Sequence, residues 1–102
     1  MIVITAAAGQ ITVAGHAGCA PPGQDIVCAA VSALSETLAA SLEALAPDRV
    51  SVAASDGYLQ INYLEPGNRS EAARLLTGSF LLGVRAIAGS YPAAVRVHVE
   101  ED

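Results

Sequence analysis

Alternation of apolar and polar residues predicts five β-strands. Residues 2–7 and 10–15 are apolar segments on either side of Gly9, and they are typical of a hairpin. Residues 49–54 and 58–64 flank Asp56-Gly57, a dipeptide that favours a tight hairpin turn. Residues 94–99 add a last strand with valine at every second position. The alternation therefore predicts two hairpins and one separate strand.

A longer segment after residue 24 has the three-to-four-residue periodicity of a helix. Apolar residues recur from Val27 to Leu45, while serine and glutamate fall mostly on other faces. We expect Asp25 to be the N-cap, because its carboxylate can accept a hydrogen bond from an unpaired amide of the first turn. We expect the helix to end near Ala46, since Pro47 bars its continuation.

A second helical segment follows the second hairpin. Asn68 precedes Glu71 by three positions, which resembles a capping box with Asn68 as the N-cap. The segment runs to about Ala88, and Gly89 is expected to be its C-cap. Its residues are apolar nearly all round, so one face can cover a sheet while the other requires a partner.

These elements give the order ββαββαβ in a single domain of residues 1–102. The pattern favours an α+β fold in which two helices pack on one face of a mostly antiparallel sheet. Hydrophobic residues make up 53% of the chain. A domain this small cannot bury that much apolar surface in one core, so we expect some of it to meet a partner, with self-association as the simplest case.

Charge and hydropathy narrow the classes of partner and compartment. The chain has ten acidic residues against five arginines and no lysine, for a net charge of −5. Such a chain is poorly suited to nucleic acid, but it can attract a basic peptide. Polar residues interrupt each apolar run before about 18 positions, and the N-terminus lacks a positively charged leader. We therefore expect a cytoplasmic protein that does not enter a membrane.

Candidate chemistry is concentrated in residues 15–32, GHAGCAPPGQDIVCAAVS. Cys28 is predicted in the first turn of the first helix, where the helix dipole favours a thiolate. A glycine- and proline-rich loop joins it to His16, at the end of a strand. An imidazole close to such a cysteine can act as its base and later protonate an amine leaving group. The Cys28 amide and its neighbours could stabilise a tetrahedral oxyanion.

Other interpretations of the same residues stay open at this point. Cys28 could be a small buried hydrophobe, or it could form a disulfide with Cys19 across the loop. His16, Cys19 and Cys28 could also bind a metal, although the paired cysteine spacing of structural zinc sites is missing. Ser32, one turn after Cys28, could orient a group in the site or be an ordinary helix residue. His98 is expected to be solvated, on the polar face of its strand.

The motif GHA, a loop of small and polar residues, and then G-x-DIVCAAVS resembles the signature of the bacterial ribosomal-processing cysteine protease (Prp) family. Gly15, His16, Asp25, Cys28 and Ser32 match it in identity and spacing. The resemblance extends over essentially the whole chain. It implies Cys28 as nucleophile and His16 as general base and acid. It implies Asp25 and Ser32 as supporting residues and Gly15 as a backbone requirement beside the histidine.

The resemblance also implies a substrate and an assembly. The substrate would be the precursor of large ribosomal subunit protein twenty-seven, whose N-terminal extension is cut after an aromatic residue. The enzyme would need no cofactor and no metal, and it would be a homodimer. In this chain Pro21 and Pro22 stiffen the loop that is thought to move when substrate binds. The alternative is a non-catalytic homodimeric module that binds a ribosomal or assembly partner through the same groove.

Overall fold

A computed structural model describes residues 1–15 and 24–100 of the chain, with the side chains of the first helix described from Ile26 onward. Within these residues the elements are β1 Ile2–Ala6, β2 Gln10–Ala14, α1 Gln24–Leu45, β3 Val50–Ser55, β4 Tyr58–Tyr63, α2 Glu71–Ser90 and β5 Val95–Val99. A short 3-10 turn, Pro66–Asn68, precedes α2. The predicted α+β class is confirmed.

The strands form one mixed sheet with the order β3-β4-β2-β1-β5. Three of the four strand pairs are antiparallel, and β1 with β5 is the parallel pair. Strands β4 and β5 run in the same direction without pairing, and α2 is the crossover connection between them. The edge strands are β3 and β5, so the β3–β4 hairpin lies at one side of the sheet.

The sheet has one apolar face, and the helices cover it. Strand register aligns Ala6, Ile11 and Ile61 across β1, β2 and β4, and all three are buried. Helix residues of the same core include Val27, Val31, Leu38 and Leu42 of α1 and Ala73, Phe80 and Val84 of α2. The next row of residues across the strands belongs to the opposite face and is polar: Thr5, Thr12, Gln60 and His98. His98 is exposed there, as expected.

The ends of α2 differ from the prediction. Ser70, not Asn68, is the N-cap, and its Oγ accepts a hydrogen bond from the Ala73 N–H at 3.0 Å. Asn68 lies in the preceding 3-10 turn instead. At the other end the helix continues through Gly89 to Ser90. The expected caps were wrong because both choices rested on local spacing, whereas a distant residue fixes Ser70.

That distant residue is Asp48, in the connection between α1 and β3. Its carboxylate accepts hydrogen bonds from the Ser70 N–H, at 2.8 Å, and from the Ser70 hydroxyl. These bonds favour the charged carboxylate and hold the pKa of Asp48 below its ordinary value of 3.8. The connection after α1 is therefore fastened to the start of α2.

We expect Ser70→Ala to lower the free energy of unfolding by about 1 kcal/mol, the usual cost of losing an N-cap. A carboxyl with a lowered folded-state pKa stabilises the fold above its unfolded value of 3.8, and this stabilisation disappears as the pH falls through the lower folded-state pKa. Urea titrations from pH 7 down to pH 2 should therefore show a smaller loss of stability on acidification in Ser70→Ala. An unchanged free energy at pH 7 would contradict the capping role.

By length and composition, both helices could cross a membrane. The windows Ile26–Leu45 and Glu71–Ser90 have mean hydropathies of 1.4 and 1.2. Each helix also packs apolar side chains into the core of the domain. Interruption of the apolar runs is therefore not enough to exclude a helix that crosses a membrane. That the protein does not enter a membrane stays a prediction.

Candidate active site

One flank of α1 presents a cysteine, two serines and a glutamate to a cleft. Cys28, Ser32, Ser35 and Glu36 recur at helical spacing and line a cleft of about 320 Å³. Cys28 is half-buried, whereas Ser32 and Glu36 are exposed. Ser35 is buried, and its hydroxyl donates to the Val31 carbonyl at 2.7 Å. This flank places a sulfur and two hydroxyl groups along one wall of a concave surface.

The opposite wall comes from β2 and from the tip of the β3–β4 hairpin. This wall is formed by Val13 of β2, by Gly15 directly after β2, and by residues 54–59. The hairpin tip is held beside the end of β2, because the Gly15 N–H donates to the Gly57 carbonyl at 2.8 Å. Of the residues that line the cleft, Val13 and Leu59 are half-buried, and Ser55, Asp56 and Tyr58 are exposed. The cleft is thus partly apolar and open to solvent.

Gly15 has a backbone that other residues rarely adopt. Its φ is +103°, and a Cβ built on it would collide with the carbonyl oxygen of Met1. Glycine is therefore required where β2 leaves the sheet. The described chain stops at Gly15 on the edge of the cleft and resumes at Gln24, the first residue of α1. His16 follows Gly15 directly in sequence, and it lies outside the described residues.

The start of α1 corrects two expectations. The helix begins at Gln24, so Asp25 lies inside its first turn and is not the N-cap residue. Cys28 is then the fifth helical residue, in the second turn. Its N–H pairs with the Gln24 carbonyl in the regular helical pattern, and it is not one of the unpaired first amides. The Cys28 amide is therefore unsuited to stabilising an oxyanion.

Two alternative interpretations of Cys28 depend on residues that are not described. The disulfide requires Cys19, and the metal site requires both His16 and Cys19, all of which lie outside the described ranges. Among residues 1–15 and 24–100, no three histidine, cysteine or acidic side chains gather closely enough to bind a metal. The third alternative, a core cysteine, holds only in part, because Cys28 packs against the core and also faces the cleft.

Several cleft residues were missed in the sequence. Glu36 follows Cys28 by eight positions and Ser32 by four, so helical periodicity alone could have assigned it to the same flank. Asp56 and Tyr58 gave no such signal, because Asp56-Gly57 indicated only a turn. They reach the cleft through pairing of β4 with β2, which aligns Tyr58 with Ala14. That pairing joins residues 44 positions apart, so the alternation of apolar and polar residues within one strand does not predict it.

Comparison with known proteins identifies related sequences and folds. The family model of cysteine protease Prp matches residues 1–96. No curated protein sequence matches the chain. The crystal structure of SMU.848 from Streptococcus mutans is similar at 34% identity and a TM-score of 0.80, over 99% of this chain and 93% of that one.

Two further crystal structures are of an essential ribosomal processing protease Prp from S. aureus. One contains a covalently linked product peptide, and it is 23% identical with a TM-score of 0.85. The other contains a substrate peptide, and it is 22% identical with the same TM-score. Each comparison covers 98% of this chain and 100% of the S. aureus chain. At this identity the two structures establish the shared fold.

Proposed function

The chain belongs to the cysteine protease Prp family, and we propose that it removes the N-terminal extension of a ribosomal protein precursor by nucleophilic attack of the Cys28 sulfur. The protein is thus a cysteine protease, and the proposal adds its substrate and its residues. The substrate is the precursor of large ribosomal subunit protein twenty-seven, cut after an aromatic residue. The S. aureus structures are of a ribosomal processing protease with a product or a substrate peptide bound, and they support processing of a ribosomal protein as the class of reaction.

One observation carries the proposal: Cys28 is half-buried on the wall of a cleft whose other wall ends at Gly15. A nucleophile must be reachable by substrate yet held rigidly, and a helix that packs against the core satisfies both needs. Gly15 immediately precedes His16, the proposed base. Gly15 and Cys28 line the same cleft, which supports the choice of the residue after Gly15 as the base.

The proposed reaction proceeds in two stages. His16 removes the proton from the Cys28 thiol, and the sulfur attacks the carbonyl carbon of the peptide bond. His16 then protonates the amine as the C–N bond breaks, which leaves the extension as a thioester on Cys28. Water, deprotonated by His16, attacks the thioester and releases the carboxylate product and the thiol. The chemistry needs no metal and no cofactor.

Asp25 and Ser32 are proposed to support Cys28 from neighbouring turns of α1. Asp25 precedes Cys28 by three positions and Ser32 follows it by four, and residues at these spacings are neighbours on a helix surface, which supports the proposal. Ser32 is exposed in the cleft, where its hydroxyl can hydrogen-bond to a bound peptide. Asp25 takes this role from within the helix, since it is not the N-cap.

The function is tested with a synthetic peptide that carries the extension and the first residues of the mature ribosomal protein. Incubation with the wild-type protein should give two products in the mass spectrum, separated after the aromatic residue. A scrambled peptide of the same composition is the control and should stay intact. Binding of the extended peptide without any cleavage would contradict the proposal and favour the non-catalytic module.

We also propose that the protein is a homodimer that uses the outer face of α2. Leu75 and Leu82 of this face are 67% and 72% exposed. They follow one another at a seven-residue spacing, which suits packing against a second helix. Sedimentation equilibrium should give twice the chain mass for wild type and a monomer for the double variant Leu75→Lys, Leu82→Lys. A monomeric wild type would refute the dimer.

A further inference from the structure

We infer that Glu36 is a specificity-determining residue that binds a lysine or arginine side chain of the substrate, three to four residues from the scissile bond. The inference rests on the proposed function, since it concerns the peptide that occupies the same cleft. Glu36 lies on the Cys28 flank of α1 and lines the cleft with its carboxylate exposed. Its role is to select substrate and not to take part in bond cleavage.

The charges that line the cleft are of one sign. Glu36 stands on the helix wall and Asp56 on the hairpin wall, whereas no arginine of the described chain lines the cleft. The arginines lie elsewhere along the chain, at Arg49, Arg69, Arg74, Arg85 and Arg96. Concave surfaces lined by one sign of charge concentrate ligands of the opposite sign. The cleft is therefore suited to an extended peptide with a basic side chain.

Helix and strand dimensions place that side chain. Glu36 follows Cys28 by eight positions, which is about 12 Å along the axis of α1 at the usual helical rise. An extended peptide advances about 3.3 Å per residue. A substrate that lies along this flank with its scissile bond at Cys28 therefore reaches Glu36 after three to four residues.

Position in the fold distinguishes Glu36 from the other candidate acids. Asp56 belongs to the hairpin tip and lines the opposite wall of the cleft, whereas Glu36 belongs to the same helix flank as Cys28. Glu43 is an exposed glutamate of the same helix but does not line the cleft. Glu43→Gln therefore removes the same charge from the same helix without touching the cleft.

The test is a lysine scan of a cleavable peptide whose other ionisable residues are replaced by glutamine. One lysine is placed in turn at each of five positions on both sides of the scissile bond, and kcat/KM is measured for wild type, Glu36→Gln and Glu43→Gln. We expect wild type to prefer lysine over glutamine by about fivefold at the third or fourth position on one side, the upper range for an exposed ion pair. Glu36→Gln should lose this preference, and Glu43→Gln should keep it.

A charge exchange provides the second arm. Glu36→Arg should prefer glutamate over lysine at the same peptide position, and the preference should weaken as salt is raised. An equal preference for lysine in wild type and Glu36→Gln would overturn the inference. An equal loss of that preference in Glu43→Gln would also overturn it, because it would indicate only long-range attraction. Cleavage of the all-glutamine peptide by every variant would still support the proposed function. Failure of wild type to cleave the peptide with its natural residues would instead contradict that function.

Discussion

We expect Cys28→Ala to abolish cleavage of the extended ribosomal peptide, with a loss in kcat/KM on the order of 10⁴-fold or more, as for removal of other catalytic nucleophiles. The reason is chemical: without the sulfur no thioester forms, and water must attack the peptide bond directly. Alanine fits where cysteine packs against the core, so the fold should be retained. The measurement is the rate of product formation by mass spectrometry, with circular dichroism as the check on folding.

Cys19→Ser is the matched control for this experiment. It removes the other cysteine of the chain, and it should leave most of the activity intact. If Cys28→Ala kept full activity, Cys28 would not be the nucleophile. If Cys19→Ser were the inactive variant instead, the assignment of the nucleophile would have to move to Cys19.

Gly15→Ala should lower the free energy of unfolding by roughly 3 kcal/mol, the sum of a strained backbone and a displaced neighbour. Gly15 has a φ of +103°, and an added Cβ meets the carbonyl of Met1, which directly precedes β1. Relief of that contact would move the end of β2 and weaken the bond from Gly15 to Gly57. Because Gly15 lines the cleft, cleavage of the peptide should fall as well.

Gly89→Ala is the matched control for Gly15→Ala. Gly89 is exposed in the last turn of α2, and nothing lies within 4 Å of a Cβ built there. Alanine is a better helix former than glycine, so this variant should be stabilised by up to about 1 kcal/mol. Urea denaturation of both variants provides the comparison. Equal stability of Gly15→Ala and wild type would contradict the backbone requirement at Gly15.

The strands and helices could be predicted because their signals are local. Alternation around Ile11, the Asp56-Gly57 turn and the periodic apolar residues of both helices each gave an element close to its observed bounds. Helix ends were less predictable. Ser70 is the N-cap because it is hydrogen-bonded to Asp48, 22 positions earlier in the sequence. A search for capping residues by local spacing does not find such a distant partner.

The candidate site was predictable where it depends on the helix and the motif. Cys28 and Ser32 share a flank because four residues make about one turn, and that flank does face a cleft. The second wall could not be predicted, since it depends on which strand pairs with β2. The pairing of β4 with β2 brings Tyr58 and Asp56 to the cleft, and alternation alone does not choose between partners.

The central claim is that His16 activates the Cys28 sulfur, and competitive alkylation tests it most directly. Wild type and His16→Ala are treated with a limiting amount of iodoacetamide near neutral pH, and labelling of Cys28 and Cys19 is quantified by peptide mass spectrometry. We expect Cys28 to be labelled much faster than Cys19 in wild type, and we expect this difference to be lost in His16→Ala. Equal labelling of both cysteines in both proteins would contradict it.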